Sequence, residues 1–401
     1  MSMLNVKPYP VNPYPQTVLN LAPSRAEQWL SCPLSAVLSR ELRGSYSGCY
    51  SGQVVTSSSP KEEEFIEQGV LAHKLAQETI NYLFFGDERK LQTSKIIEQA
   101  VQDYINVLQY YVNENSNNIV LFAAEQQVSI KLDEETKKAG ISCWGTVDAA
   151  LVTTQSVHVF DLKYGENEPV DAQNNAQLML YAVGLYQSYK KLYPSITDIV
   201  LHIVQPRQEY KYSVYQLSSE QLMYWFTNTV LPVCHEIAKL DINRVMANPS
   251  VETCKGTHCN GYALGRCNRC KQWAFNQIGA GSSGVLPNEK ELVEEVRLRD
   301  FINGFIENSK NSTINELEKG RVIDGLYCEK KMVRGMPKDK TGKQAVIARL
   351  ESIPELANIE CYDKSPKPIG YFEQVLGKEG TAKLLDDLVE LNERKKLKLT
   401  K

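Results

Sequence analysis

The sequence predicts an α/β protein with a mixed central sheet flanked by helices, followed by a mainly helical C-terminal domain. Three observations carry this. Segments 141–153 (ISCWGTVDAALVT) and 157–163 (VHVFDLK) are rich in β-branched and aromatic residues and are separated by a polar Thr-Gln-Ser turn, the signature of a hairpin. The next apolar segment, 172–186, repeats at helical spacing, and 196–216 returns to strand composition. Beyond a Gly/Ser run at 279–284, helical periodicity dominates 289–318 and 381–398.

Along the chain, residues 1–19 place Pro8, Pro10, Pro13 and Pro15 among tyrosines and asparagines, which predicts an extended segment. Residues 44–60 are too rich in serine and glycine for a helix and read as a loop. At Ser59-Pro60-Lys-Glu-Glu-Glu a helix is expected to start, with a capping serine, proline in the first turn and acids at the positive dipole end. His73 lies on that helix, four residues after Gly69. Residues 90–112 and 174–192 are expected to be helices. The strand region 196–216 contains Gln205-Pro206-Arg207, where Arg207 either approaches a phosphate or is an exposed loop arginine.

A length of 401 residues allows two or three domains, and 42% apolar with 23% charged residues is the composition of a globular protein with a sizeable core. No apolar run reaches the length of a membrane span. The formal net charge of −3 argues against a dedicated DNA-coating protein, but not against an enzyme with a local basic groove. The first residues lack the layout of a secretory signal, so a cytoplasmic, reducing compartment is expected.

The chemistry concentrates in 125–181. Glu125, Asp148 and Asp161 are carboxylates deliverable to one point, as a divalent-cation site for phosphodiester cleavage requires. On the second strand of the hairpin, Asp161 and Lys163 share a face while Phe160 and Leu162 take the other. Asp148 lies mid-strand among Val147, Ala149, Ala150 and Leu151, a costly place for a carboxylate without a compensating cation. Gln177 and Tyr181, four residues apart, share a helix face that leans over the sheet toward a bound strand.

Taken in order, Gly69-x-x-x-His73, Glu125, Gly145-Thr-Val-Asp148, Asp161-Leu-Lys163 and Gln177-x-x-x-Tyr181 resemble the RecB-like branch of the PD-(D/E)XK nuclease superfamily over about residues 20–215. The resemblance implies a restriction-endonuclease-like core and a DNA exonuclease active in recombination, repair or replication. It also implies roles. His73, Asp148, Asp161 and the main-chain carbonyl of Leu162 would ligate Mg²⁺ or Mn²⁺, with Lys163 orienting the attacking water, Glu125 assisting, and Gln177 and Tyr181 contacting the DNA end. A stand-alone layout suggests a phage or mobile-element member. The alternative is a catalytically silent nuclease-fold DNA-binding or adaptor protein.

Ten cysteines occur, four of them as Cys254-x4-Cys259-x7-Cys267-x2-Cys270 around His258, with Cys32 far upstream. In a reducing compartment this clustering points to metal rather than disulfides. A subset of the RecB-like branch, the AddAB-type helicase-nucleases and CRISPR-associated exonucleases, holds a [4Fe–4S] cluster with one cysteine before the core and three after it, and the present arrangement is similar. Here, however, the CxxC pair comes last and Cys254 is surplus. Four late cysteines also suit a tetrahedral zinc site, with Cys32 as a small buried hydrophobe. Cys49, Cys143, Cys234, Cys328 and Cys361 are expected to be ordinary thiols.

The resulting organisation is an extended segment 1–19, a nuclease domain 20–278 closed by the cysteines, a linker 279–285 and an accessory domain 286–401. Between positions 328 and 349, seven Lys/Arg face two acids. Such a run is a solvated surface, or a surface for duplex DNA or for a helicase, single-strand binding protein or recombinase.

Overall fold

A computed structural model describes residues 19–45, 60–88, 91–166, 169–209, 211–256, 259–279, 289–335, 340–352, 372–374, 379, 381 and 390–399. The expected extended segment before Leu19, the loop between Ser45 and Pro60, residues 280–285 of the Gly/Ser linker, His258, Cys49 and Cys361 lie outside the described residues. The chain forms two compact units, Met1–Asn308 and Ser309–Lys401.

The first unit begins with a two-residue strand β1 (Leu19–Asn20), followed by helices α1 (Ala26–Ser31), α2 (Pro33–Ser45), α3 (Pro60–Ile80) and α4 (Lys95–Glu114). Strands β2 (Ile119–Ile130), β3 (Ile141–Thr153) and β4 (Ser156–Leu162) then run as an antiparallel meander, with the short helix α5 (Glu134–Lys138) in the β2–β3 connection. Helix α6 (Ala176–Tyr189) crosses over to β5 (Asp198–Val204), which pairs parallel with β4, and β6 (Tyr212–Ser218) closes that edge antiparallel. With β1 parallel to the start of β3, this is a mixed six-stranded sheet. Helices α7 (Ser219–Trp225), α8 (Leu231–Ala238), α9 (Asn260–Ala263) and α10 (Asn268–Gly279) follow. The mixed sheet between helices is the fold class that the sequence predicts.

Each sheet face has its own core. One packs α1, α2, α6 and α8 around Trp29, Val37, Val159, Leu180 and Cys234; the other packs α3 and α4 around Leu75, Tyr104, Leu108, Phe122 and Phe160. Helix α6 is buried around most of its circumference, as its continuous apolar run requires. It approaches β2 so closely that a Cβ at Gly184 would lie 2.4 Å from Val128 Cγ1, so glycine is the residue that fits.

Helix α11 (Glu289–Glu318) runs across the boundary between the two units. Its N-terminal part packs in the first unit. Phe301 and Phe305 are buried against Tyr262, Ala274 and Cys270, and the Tyr262 hydroxyl donates to the Phe301 carbonyl at 3.1 Å. In the second unit, α12 (Lys340–Glu351) accompanies a two-stranded antiparallel sheet of β7 (Leu326–Gly335) and β8 (Glu390–Leu399). The helix expected over 381–398 is therefore corrected: 390–399 is a strand. Its end alternates Lys396, Leu397, Lys398, Leu399, a two-residue period that a partner strand at 326–335 can use and a helix cannot. Among the described residues no helix is long and apolar enough to cross a membrane.

Candidate functional site

Three carboxylates fall in one transverse row. Ala124 pairs with Ala149 and Gln126 with Val147, which sets Glu125 opposite Asp148; one step beyond the Ala149–Phe160 pair, the same register sets Asp148 beside Asp161. The ladder thus joins positions far apart in sequence.

The row coincides with a reversal of the pleat. Before Glu125, Leu121 packs on the α6 side and Phe122 on the α3/α4 side; after it, Val128 and Ile130 pack on the α6 side. On β3, Ile141, Cys143 and Val147 pack on the α6 side, yet Ala149 and Leu151 lie opposite. Odd and even positions exchange faces at Glu125 and Asp148. The backbone cause is Glu125 itself, whose φ of 48° places a non-glycine residue in the left-handed region.

Helix α3 supplies the imidazole. Its Ala72, Leu75, Ala76 and Ile80 face packs into the core with α4, leaving His73 at the edge with Nδ1 3.4 Å from Asp148 Oδ2. Ligand atoms of His73, Glu125 and Asp148 all lie within 4.8 Å of one another. The Leu162 N–H donates to Asp148 Oδ2 at 2.8 Å, fixing that carboxylate against the end of β4. Asp161, 4% exposed, points to the α6 face, where its Oδ2 is 2.9 Å from Lys163 Nζ. Gln177 Nε2 donates to Asp161 Oδ1 at 3.1 Å, and Lys163 Nζ donates to Gln177 Oε1 at 3.3 Å.

Electrostatics follow from this crowding. Burial and the neighbouring Asp148 push the Glu125 carboxyl up to about 7. Burial draws His73 down, but Asp148 outweighs it and the imidazole titrates above its ordinary value. Burial also raises Asp161, against the pull of Lys163, while the two aspartates hold the Lys163 ammonium above its usual range despite its burial.

An imidazole and two carboxylates suit a divalent cation with hard-ligand preference, with coordination positions left for other oxygens. A further observation fits. The Tyr104 hydroxyl on α4 is fully buried without a hydrogen-bond partner, and burial together with Asp148, Asp161 and Glu125 raises its pKa. A buried hydroxyl without a partner costs about 1–3 kcal/mol, and a polar group bound at the site is what would offset that cost. Sequence reasoning missed Tyr104, which lies within an ordinary amphipathic helix and carries no motif.

The remaining candidates are placed as follows. Tyr181 is 3% exposed and lies behind Gly145, where a Cβ would come within 2.9 Å of the Tyr181 hydroxyl. Gln177 faces Asp161 and Lys163. Arg207 pairs with Glu166, its guanidinium 4.9 Å above the Tyr164 ring. Leu162 contributes its N–H to Asp148.

The five candidate cysteines line one cavity, together with Ser35, Leu38 and Tyr262. Cys32 ends α1, Cys259 precedes α9, and Cys267 and Cys270 flank the start of α10. Backbone N–H groups are already aimed at sulfur: Asn248 at Cys32 Sγ (3.5 Å) and Cys270 at Cys267 Sγ (3.4 Å). A Cβ at Gly261 would lie 2.6 Å from Leu38 Cδ2 and 3.0 Å from Cys267 Cβ, so the α9 turn is kept bare. Asn260 Nδ2 donates to Ser39 Oγ at 3.2 Å, fastening this turn to α2. Among the described residues, no three of these thiols lie within 4.8 Å of one another. Cys143 and Cys234 are buried in the first core, and Cys328 is half-buried.

Fold and site define an α/β protein whose mixed sheet carries a transverse carboxylate row completed by a helix-borne histidine. The chain belongs to the DUF2800 family, described as a protein of unknown function, whose profile matches residues 19–400. Among solved structures it is similar to LHK-Exo in complex with dAMP (8% identity, 56% of this chain and 91% of that one, TM-score 0.24). It is also similar to a "putative exonuclease" from Eubacterium rectale (9% identity, 71% and 96%, TM-score 0.33). At these TM-scores the chemistry rests on the site alone.

Proposed function

We propose that the protein is a divalent-metal-dependent deoxyribonuclease, acting as an exonuclease in DNA recombination, repair or replication. The observation that carries this is the convergence of His73, Glu125 and Asp148 within 4.8 Å, beside the Asp161–Lys163 ion pair at 2.9 Å. His73, Glu125 and Asp148 would hold Mg²⁺ or Mn²⁺, with Asp161 and the Leu162 carbonyl next to it. Bound there, the ion supplies Lewis-acid polarisation of a phosphodiester. Asp148 is kept in place by the Leu162 N–H. Asp161 holds the Lys163 ammonium, which is positioned to orient an attacking water and to meet the charge that develops on the phosphate. Arg207 and the basic 328–349 segment are candidates for contact with DNA phosphate or a protein partner.

The cysteines fit a [4Fe–4S] cluster. What supports the cluster over a self-contained zinc site on the late cysteines is that Cys32, from before the sheet, lines the same cavity as Cys254, Cys259, Cys267 and Cys270. Such a cluster would tie Cys32 to the late cysteines and close a loop containing strands β2 to β6.

The test is digestion of 5′- and 3′-labelled single- and double-stranded DNA with Mg²⁺ and with Mn²⁺. Cleavage that disappears in Asp148→Ala and Asp161→Ala, with DNA binding retained, is the expected result; equal activity in both variants would overturn the assignment. DNA binding without cleavage at any metal concentration would instead identify a silent adaptor. Anaerobically purified protein should be brown and contain iron and sulfide, and a colourless protein with stoichiometric zinc would decide against the cluster.

A further inference from the structure

The Gln177–Tyr181 pair on α6 sits where a DNA contact would be expected, but its geometry directs it inward. Gln177 lies in the first turn of α6, and its amide spans the Asp161–Lys163 ion pair: Nε2 to Asp161 Oδ1 at 3.1 Å, Oε1 from Lys163 Nζ at 3.3 Å. The orientation of this amide is dictated by chemistry. An ammonium only donates and an ionised carboxylate only accepts, so the amide oxygen must face Lys163 and the amide nitrogen Asp161. The other end of the pair is closed off as well. Tyr181 is 3% exposed, within hydrogen-bonding reach of Gln177, and boxed in by Gly145 and Pro23.

We propose that Gln177 is a positioning residue that, backed by the buried Tyr181, fixes the Lys163 ammonium beside Asp161, and that neither side chain supplies DNA affinity. The inference deepens the nuclease reading and rests on it for the role of Lys163. Lysine has four rotatable side-chain bonds and a weakly directional head, so one salt bridge leaves it free to swing about the carboxylate. A second acceptor at 3.3 Å on a helix that is otherwise buried removes that freedom. The ammonium is thereby presented in one place to the transition state and to no other.

Two variants of the full chain separate the contributions. Gln177→Met keeps length and volume but lacks both hydrogen bonds. Gln177→Glu keeps the acceptor for Lys163 and loses the donor to Asp161. With labelled DNA and Mn²⁺, Gln177→Met should lower kcat about 10- to 100-fold, the usual effect of removing a residue that orients a site group, with KM within about two-fold. DNA affinity, measured by fluorescence anisotropy in Ca²⁺, should not change. Gln177→Glu should recover part of the lost kcat. A raised KM and weakened DNA binding at unchanged kcat would overturn the proposal and return Gln177 to a DNA-contact role.

A readout independent of activity is the Lys163 ammonium signal in ¹⁵N-lysine-labelled protein. Held between two acceptors, it should be protected from solvent exchange in the wild type and lost in Gln177→Met. Its absence in the wild type overturns the positioning. Its presence in a wild-type protein that cleaves no DNA overturns the nuclease reading and leaves the Gln177–Lys163 geometry standing.

Discussion

Glu125 stands opposite Asp148 across the β2–β3 ladder with φ of 48°, and both strands exchange faces at this pair. A left-handed backbone at a residue with a Cβ costs about 1 kcal/mol, and glycine relieves it. Glu125→Gly should therefore raise the stability of the metal-free protein by about 1 kcal/mol while abolishing the stabilisation that Mn²⁺ confers. Thermal unfolding with and without Mn²⁺ checks both halves. A metal-free variant no more stable than wild type would show that the strain at position 125 is not held in reserve for the site.

Metal affinity should rise with pH. Glu125 titrates at about 7 because burial and Asp148 disfavour its charge, and a cation requires the ionised form. Binding below that pH must release a proton, so affinity for Mn²⁺ falls as pH drops through about 7. Calorimetric titrations near pH 6 and pH 8, in buffers of different ionisation enthalpy, measure the released proton directly. Affinity independent of pH across this window would remove Glu125 from the ligand set.

Gly145 is small because of Tyr181. A methyl group there would meet the Tyr181 hydroxyl at 2.9 Å, Pro23 Cδ at 3.1 Å and Tyr181 Cε1 at 3.3 Å. Overpacking of this kind costs about 1–3 kcal/mol, so Gly145→Ala should lower the denaturation midpoint accordingly. Adding Tyr181→Phe removes the nearest atom and should restore part of the loss, which a double-mutant cycle in urea will show. Additive effects would mean that the two side chains do not meet.

The legible parts of this protein were those in which local pattern and final environment agree. The hairpin of β3 and β4 was readable because β-branched residues run up to a polar turn, and Asp148 and Asp161 could be assigned to its strands. Strand β2 was not readable: IVLFAAEQQVSI begins apolar and turns polar, and its alternation is interrupted at Glu125, the residue whose backbone reverses the pleat. The motif resemblance gives Glu125 only an assisting role, while geometry puts it with His73 and Asp148. Tyr104 was invisible for a different reason, since an orphan hydroxyl exists only in three dimensions. In β8, a leucine–lysine alternation became a strand because of its partner β7, a long-range pairing that helix propensity cannot report.

Acid should unlatch the sheet from α4. A hydrogen-bonded chain, buried at its histidines and open to solvent at its tyrosine end, runs from Ser156 Oγ to His158 Nε2 (2.9 Å), from His158 Nδ1 to His202 Nε2 (3.1 Å), from His202 Nδ1 to the Tyr212 hydroxyl (2.8 Å), and on to the Tyr111 hydroxyl on α4 (3.0 Å). The shared His158–His202 bond needs one nitrogen to donate and the other to accept, so both rings cannot be charged in place. Burial lowers His158 to about 4 against the pull of Asp198, and burial with His158 holds His202 well below the ordinary histidine range. Above the ordinary histidine range, folded and unfolded chains are both neutral and nothing is lost. As pH falls below about 6.5 the unfolded chain takes up protons that the folded one refuses, so stability declines until about 4, where His158 itself titrates. A depression of this size, on a side chain only 5% exposed, corresponds to on the order of 3 kcal/mol for His158 alone. Urea denaturation at intervals between about pH 7 and pH 4 should show that decline, and His202→Gln, which keeps a hydrogen-bonding group but cannot be protonated, should flatten it. An unchanged slope in His202→Gln would place the acid sensitivity elsewhere in the fold.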